Sequence, residues 1–435
     1  MKYYNINNKS ERVDFKDAIV LGQARDGGLF FPEQIPIWNK AFIESIQKKS
    51  KVEIGFEIMK PYVGDALPDD VLMDILQEVL SFEFPLKKIN DQIYSLELFH
   101  GPTLAFKDVG ARFLSRCLHF LISKKREKKI LVLVATSGDT GGAVADAFHG
   151  IDGTEVVILY PSGKVSPVQE KQLTTYGDNI HALEVMGDFD DCQRMVKQAF
   201  LDQDLHKQFV LTSSNSINIA RWLSQQIYYA VAFAQWPHED LPTVAVPSGN
   251  FGNLCAGLVA QASGLPIAHF IAACNKNAVF SNYLDTGNYM PQSAIPTLSN
   301  AMDVGNPSNV IRIQELFNYD YEKIKNNISG SIISDKQTKE TIALVYKNHN
   351  YLLDPHGAVA YTALNQWLNE KPKQKGIVLA TAHPVKFLET VESVTNTITP
   401  IPPEVKKIMK KEKRAKTISI DYECFKREIS LFFCS

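Results

Sequence analysis

Lys107 stands in "LFHGPTLAFKDVGARFL", residues 98–114, behind a Gly-Pro turn and ahead of a helix-like run. An amine is a useful nucleophile only when neutral, and an exposed lysine titrates near ~10.4. Lys107 therefore does chemistry only in a desolvated or cationic setting, and taken singly it reads as a solvated charge. "SGNFGN", residues 248–253, has glycines at 249 and 252 that would let backbone amides approach an anion, with a helix following. It is neither a GxGxxG nor a Walker loop, so phosphate cup and tight strand-to-helix turn both remain open. "TSGDTGG", residues 136–142, offers Ser137 and Thr140 as ligand hydroxyls, with Ser137 or Asp139 alternatively capping a helix. "NSINIAR" brings Ser216 and Arg221 near a helix start, where Arg221 would clamp a carboxylate or phosphate or else form a surface salt bridge. "ATAHPVKF" ends a buried strand in Thr381; His383 behind it reads as a base or as a structural histidine, and "DPHG" at 354–357 as a turn and helix cap.

The elements that position these residues follow a repeated plan. Ile130–Ala135 is expected as a strand that enters the first glycine-rich turn and a helix. "TEVVILYP", "NIHALEV", "QFVLTS", "TVAVP", "IAHFIAACN" and "KGIVLATA" are further buried strands, separated by segments with helical periodicity. Short, all-apolar strands spaced by helices imply parallel sheets buried on both faces, with right-handed crossovers. Ligands in such folds bind outside the carboxyl ends of the strands, where Lys107 and the junctions Ser137–Gly142, Ser248–Asn253 and Thr381–Phe387 would gather. "INIARWLSQQIYYAVAFAQW" reads as one long apolar helix, and the Pro/Asn/Ser-rich stretch from Asn277 to Asn309 as a functional loop. The expected division is a helical N-terminal region (1–90), a small α/β domain with the lysine (91–214), a large α/β domain with the cup (215–405) and a C-terminal extension (406–435).

Bulk properties exclude several classes. The chain has 435 residues, 45% hydrophobic and 22% charged, with a formal net charge of −2. That balance gives no reason to expect nucleic-acid or membrane binding. No eighteen-residue apolar run appears, and the polar start does not read as a signal peptide. Six scattered cysteines without CxxC spacing read as inert thiols in a reducing cytoplasm, and no metal site is expected. The basic run "KKIMKKEKRAK" reads as a solvated segment.

Taken in order, "DGGLFFP" (26–32), "LFHGPTLAFKD" (98–108), "ATSGDTGGA" (135–143), "NSINIAR" (215–221), "VPSGNFGN" (246–253), "AMDVGNPSN" (301–309), "DPHGAVAY" (354–361) and "ATAHPVKF" (380–387) resemble the fold-type II pyridoxal 5′-phosphate (PLP) enzymes, most closely the long-form threonine synthase family. The resemblance implies two parallel-sheet, three-layer α/β domains of the tryptophan synthase β-like kind, with a mainly helical N-terminal extension. It implies that Lys107 forms the Schiff base with PLP, that the amides of Gly249, Asn250, Phe251, Gly252 and Asn253 hold its phosphate, and that Thr381 meets the pyridine nitrogen. Asp139 occupies the place of a cofactor contact, or caps its helix. Ser137, Thr140, Ser216 and Arg221 would bind the substrate. The implied reaction turns O-phospho-L-homoserine and water into L-threonine and phosphate, in a cytoplasmic enzyme expected to be a monomer. Rival readings are a fold-type II threonine or serine dehydratase, a PLP-binding relative without turnover, and a dinucleotide oxidoreductase; the last lacks GxGxxG spacing.

Overall fold

The structure is a computed structural model that describes residues 1–122 and 128–433. Two sheets dominate it. In the larger, the strands run in the order Ile328–Ile332, His269–Cys274, Thr243–Pro247, Gly376–Ala380, Ile93–Glu97 and Leu86–Lys88; all are parallel except the last. In the smaller, the order is Ala415–Ile418, Ile180–Val185, Thr154–Pro161, Ile130–Ala135 and Val210–Ser213, all parallel.

Strand periodicity explains the layering. Every residue of Ile130–Ala135 is buried. Val132 and Val134 face one apolar cluster and Leu131 and Leu133 another, as the two-residue repeat of a strand requires. The larger sheet divides likewise: Val244 and Val246 join the first cluster, Ala245 a third. One cluster thus holds a face of each sheet. The helices Lys107–Leu121, Asp139–Phe148, Gln226–Ala234 and Gly252–Ala262 contribute Phe113, Val144, Tyr228 and Leu258 to it. Large aliphatic side chains stabilise by roughly 1.5–3 kcal/mol each on leaving water, so this shared layer is a firm floor beneath the loops that rise from both sheets.

Several elements depart from the sequence-based expectation. Ile93–Glu97, assigned above to the unit carrying the lysine, pairs with Gly376–Ala380 in the larger sheet. Ala415–Ile418, placed in a C-terminal extension, pairs with Ile180–Val185 and forms the edge of the smaller sheet. The final helix Tyr422–Phe433 buries Phe425 and Ile429 against that sheet's outer cluster. The N-terminal region is mainly helical but also holds a three-stranded antiparallel sheet of Arg12–Asp14, Lys2–Asn5 and Phe30–Pro32.

The expected long helix is two, Ile219–Leu223 and Gln226–Ala234. At the break, Ser224 Oγ donates to Ala220 O at 2.9 Å and Gln225 Nε2 to Arg221 O at 2.8 Å; side chains there compete with the backbone ladder. Among the described residues, no helix is long and apolar enough to cross a membrane, and no group of three or more His, Cys, Asp or Glu side chains is arranged to hold a metal ion. The five described cysteines are free, and Cys434 lies outside the described residues.

Candidate active site

The approach to Lys107 is held from three sides. Thr103 donates its backbone N–H to Asp108 Oδ2 at 3.0 Å and its hydroxyl to Asp108 Oδ1. Burial pushes the Asp108 carboxyl up to about 6 against the pull of those bonds. Leu104 takes a left-handed backbone, φ 58°. Phe106 N–H donates to Thr381 O at 2.9 Å, and His383 N–H to Leu104 O at 3.1 Å, so the end of strand Gly376–Ala380 is stitched to the lysine loop. Tyr228 OH donates to Phe106 O. Lys107 then opens its helix, with a side chain 16% exposed and Nζ 3.9 Å from Asp139 Oδ2. Burial pushes the amine down to about 8; Asp139 opposes that, while Lys386 and Arg221 add to it.

The loop after Ile130–Ala135 is organised by one hydroxyl. Thr136 Oγ1 accepts from the N–H groups of Gly138 and Gly141, both at 2.9 Å. Gly138 sits at φ 131°, and a Cβ there would lie 2.5 Å from Gln169. Asp139 makes no side-chain cap bond to its helix. Its Oδ1 instead accepts from Lys386 Nζ at 2.8 Å and Gln169 Nε2 at 3.0 Å. The charges of Lys386 and Lys107 hold the carboxyl well below the usual range despite burial. Of the two alternatives for Asp139, the cap is thus the one its contacts do not match.

The loop after Thr243–Pro247 is organised by close approach. A Cβ on Gly249 would lie 2.8 Å from Met302 Cα, and one on Gly252 would lie 3.1 Å from Ser216 Cβ. Phe251 turns through φ 61°, and the helix Gly252–Ala262 starts behind it with no side-chain cap. The other rim is tied on by Asn309 Nδ2, which donates to Asn250 O at 2.8 Å and Ser216 Oγ at 3.0 Å. Buried Arg312, not singled out from the sequence, bonds the carbonyls of Phe30, Ser216 and Ile217, joining the N-terminal sheet to the "NSINIAR" turn. In that turn, buried Arg221 donates Nη1 to the Ser214 carbonyl and hydroxyl. Burial brings the Arg221 guanidinium down to about 10.

Lys107, Ser137, Asp139, Thr140, Ser216, Arg221, the whole run Gly249–Asn253, and Thr381 all line one cavity. His356 joins them: Ala301 N–H donates to its Nε2 at 3.2 Å, so Nδ1 carries the proton and bonds Asp354 Oδ2 at 2.6 Å. Its Asp354 also caps the helix Pro355–Glu370. His383 is structural; its Nδ1 accepts from Val385 N–H at 3.0 Å in the short turn Pro384–Phe387.

These residues fit a phosphorylated aldehyde. The helix start is open to an anion, Asn253 Nδ2 is a buried donor without a protein partner, and an amine of lowered proton affinity lies in the same cavity. The sequence matches the family described as pyridoxal-phosphate dependent enzyme over residues 79–381, flanked by the families described as threonine synthase N terminus over 2–80 and threonine synthase, C-terminal over 357–429. A threonine synthase from Haemophilus influenzae is 46% identical over 404 residues, covering 92% of this chain and 93% of its own length. The chain belongs to the threonine synthase family. Its fold agrees: the crystal structure of threonine synthase from Escherichia coli superposes with a TM-score of 0.94 at 40% identity, covering 99% of this chain and 100% of that one. A PLP-bound threonine synthase from Brucella melitensis gives a TM-score of 0.89 at 33% identity, covering 99% of this chain and 98% of that one. As a member of this family the chain is a PLP-dependent lyase.

Two residues at the site escaped sequence reasoning for different reasons. Lys386 lies inside a stretch already singled out, "ATAHPVKF", where attention fell on Thr381 and His383. A lysine just after a buried strand was the available signal. Arg312 follows the Pro/Asn/Ser-rich stretch 277–309, and nothing local distinguishes it from a surface arginine.

Proposed function

We propose that this enzyme converts O-phospho-L-homoserine and water into L-threonine and phosphate, with PLP held covalently by Lys107. The observation that carries the reading is the convergence of a buried amine of lowered proton affinity and an amide-lined, uncapped helix start in one cavity, in a chain matched end to end by threonine synthases. The backbone amides of Gly249–Asn253 would hold the cofactor's phosphate, and Thr381 would meet its ring nitrogen with a hydroxyl, which supports a neutral nitrogen better than a carboxylate would. When bound, PLP supplies an electron sink for carbanionic charge at the substrate.

The chain's own groups do the rest. Lys107 Nζ, neutral for part of the time near pH 8, takes and returns the proton at the substrate Cα. Arg221, Ser216 and Thr140 bind the substrate phosphate and stabilise the charge that gathers on it as it leaves. Ser137 orients the remaining polar end. Ala301 and Met302 border the cavity and keep unproductive water from it. Lys107 and the small sheet form one working unit and the cup and large sheet the other; the enzyme acts as a monomer in the cytoplasm.

The test is direct. Purified protein with O-phospho-L-homoserine should release phosphate and threonine in equal amounts. Release of keto acid and ammonia in place of threonine would move the enzyme to a dehydratase. Sedimentation velocity checks the monomer.

A further inference from the structure

Behind Asp139, which lines the cavity, lies a second buried lysine for which the reaction above has no task. Lys386 is 1% exposed in the turn Pro384–Phe387 behind strand Gly376–Ala380 of the larger sheet. Asp139 opens the helix behind strand Ile130–Ala135 of the smaller sheet. Their 2.8 Å ion pair therefore spans the two sheets, and among the described residues Asp139 is the one carboxylate within ion-pair distance of Lys386. The second oxygen of Asp139 faces Lys107 Nζ at 3.9 Å. Two amines thus share one carboxylate, and the shorter contact goes to Lys386.

The charge balance follows. With Lys386 and Asp139 paired, the cluster is neutral when Lys107 is an uncharged amine and carries a net positive charge when Lys107 is protonated. Burial makes that excess charge costly. The other charged groups around Lys107 do not reverse the balance. Arg221 lowers the proton affinity of Lys107 and Asp354, bonded to His356 at 2.6 Å, raises it, so the two oppose each other; Asp108, bonded by Thr103, acts on Arg221. We propose that Lys386 is a positioning residue that claims Asp139 as its own counter-ion and so keeps Lys107 Nζ in the neutral form that takes up the cofactor. This rests on the assignment of Lys107 as the cofactor lysine.

Full-length protein freed of cofactor provides the test. The rate of PLP uptake is followed by visible absorbance across pH, and the product is fixed with borohydride for peptide mapping. Wild type should show a midpoint near 8. Lys386→Met frees Asp139 to pair with Lys107, and the midpoint should rise by about one unit or more. Asp139→Asn removes the carboxylate, and the midpoint should fall. Lys386→Arg keeps the cation, and the midpoint should stay with wild type. A defect of packing alone would not move the two pair members in opposite directions.

Should Lys386→Met fail to fold, the double variant Lys386→Met/Asp139→Asn removes both charges together and is compared with Asp139→Asn; the single variant should titrate lower, because its buried cation remains. A folded Lys386→Met variant with a midpoint at or below wild type, or a double variant that titrates like Asp139→Asn, overturns the role of Lys386. Borohydride marking of a lysine other than Lys107 overturns the assignment beneath it as well.

Discussion

The two glycine-rich loops of this enzyme rise from equivalent places, each at the carboxyl end of a parallel strand and the start of a helix, yet they are held by different forces. Thr136–Gly142 depends on hydrogen bonds and charge: one hydroxyl accepts two backbone N–H groups, and Asp139 sits between two lysines. Gly249–Asn253 depends on contact: Gly249 lets Met302 come closer than a Cβ would permit, Gly252 packs tightly on Ser216, and its helix start is left uncapped. A loop built of charge responds to pH and to removal of a partner. A loop built of close approach responds to added volume.

The largest effect expected from breaking this arrangement is at Lys107. Lys107→Ala should lower turnover by about two to four orders of magnitude and abolish borohydride-fixed cofactor on the protein, while cofactor phosphate can still reach the cup. Next comes Arg221→Ala, which should raise the KM for O-phospho-L-homoserine by roughly 10- to 100-fold, the worth of hydrogen bonds to a charged group, and alter PLP affinity far less. Equal losses of both would place Arg221 on the cofactor.

At the cup, Gly249→Ala drives a methyl into the backbone of Met302; overpacking of this kind should cost about 1–3 kcal/mol of stability in urea, and PLP affinity should fall with it as the cup's amides are displaced. The pH response sharpens the contrast. PLP uptake by the cofactor-free enzyme should rise about tenfold from pH 7 to pH 9, because the fraction of neutral Lys107 grows through its midpoint near 8. Binding of pyridoxine phosphate, which has no aldehyde to react, should change little over the same range. Calorimetry with the two ligands makes the comparison.

At the cofactor, the smallest effect belongs to Thr136→Val. It strands two amides and should cost about 2 kcal/mol of stability in urea, with cofactor affinity moved less than in Gly249→Ala.

Much of this arrangement was legible in the linear order of residues. The strand Ile130–Ala135, the junction behind it and the cup at residues 248–253 are local patterns, in which periodicity and glycine placement set the backbone within a few residues. Sheet membership was less so. Ile93–Glu97 lies next in sequence to the lysine loop but pairs with Gly376–Ala380, nearly three hundred residues away, because partner choice is made by tertiary packing. The break at Ser224 and Gln225 was hidden inside a continuous apolar run, since apolarity reports burial and not the side-chain bonds that interrupt a ladder.

By itself the sequence determined the alternation of strands and helices, the conformations open to its glycine-rich loops, and a set of polar groups at strand ends. Those follow from steric limits and hydrophobic spacing over short distances. Only the tertiary structure decided which groups share a charge. Lys386 and Asp139 are separated by most of the chain and belong to different sheets, and their pairing exists because the two sheets pack on one core. A buried carboxylate takes whichever cation the fold brings nearest, and the lysine left without it is the one able to react.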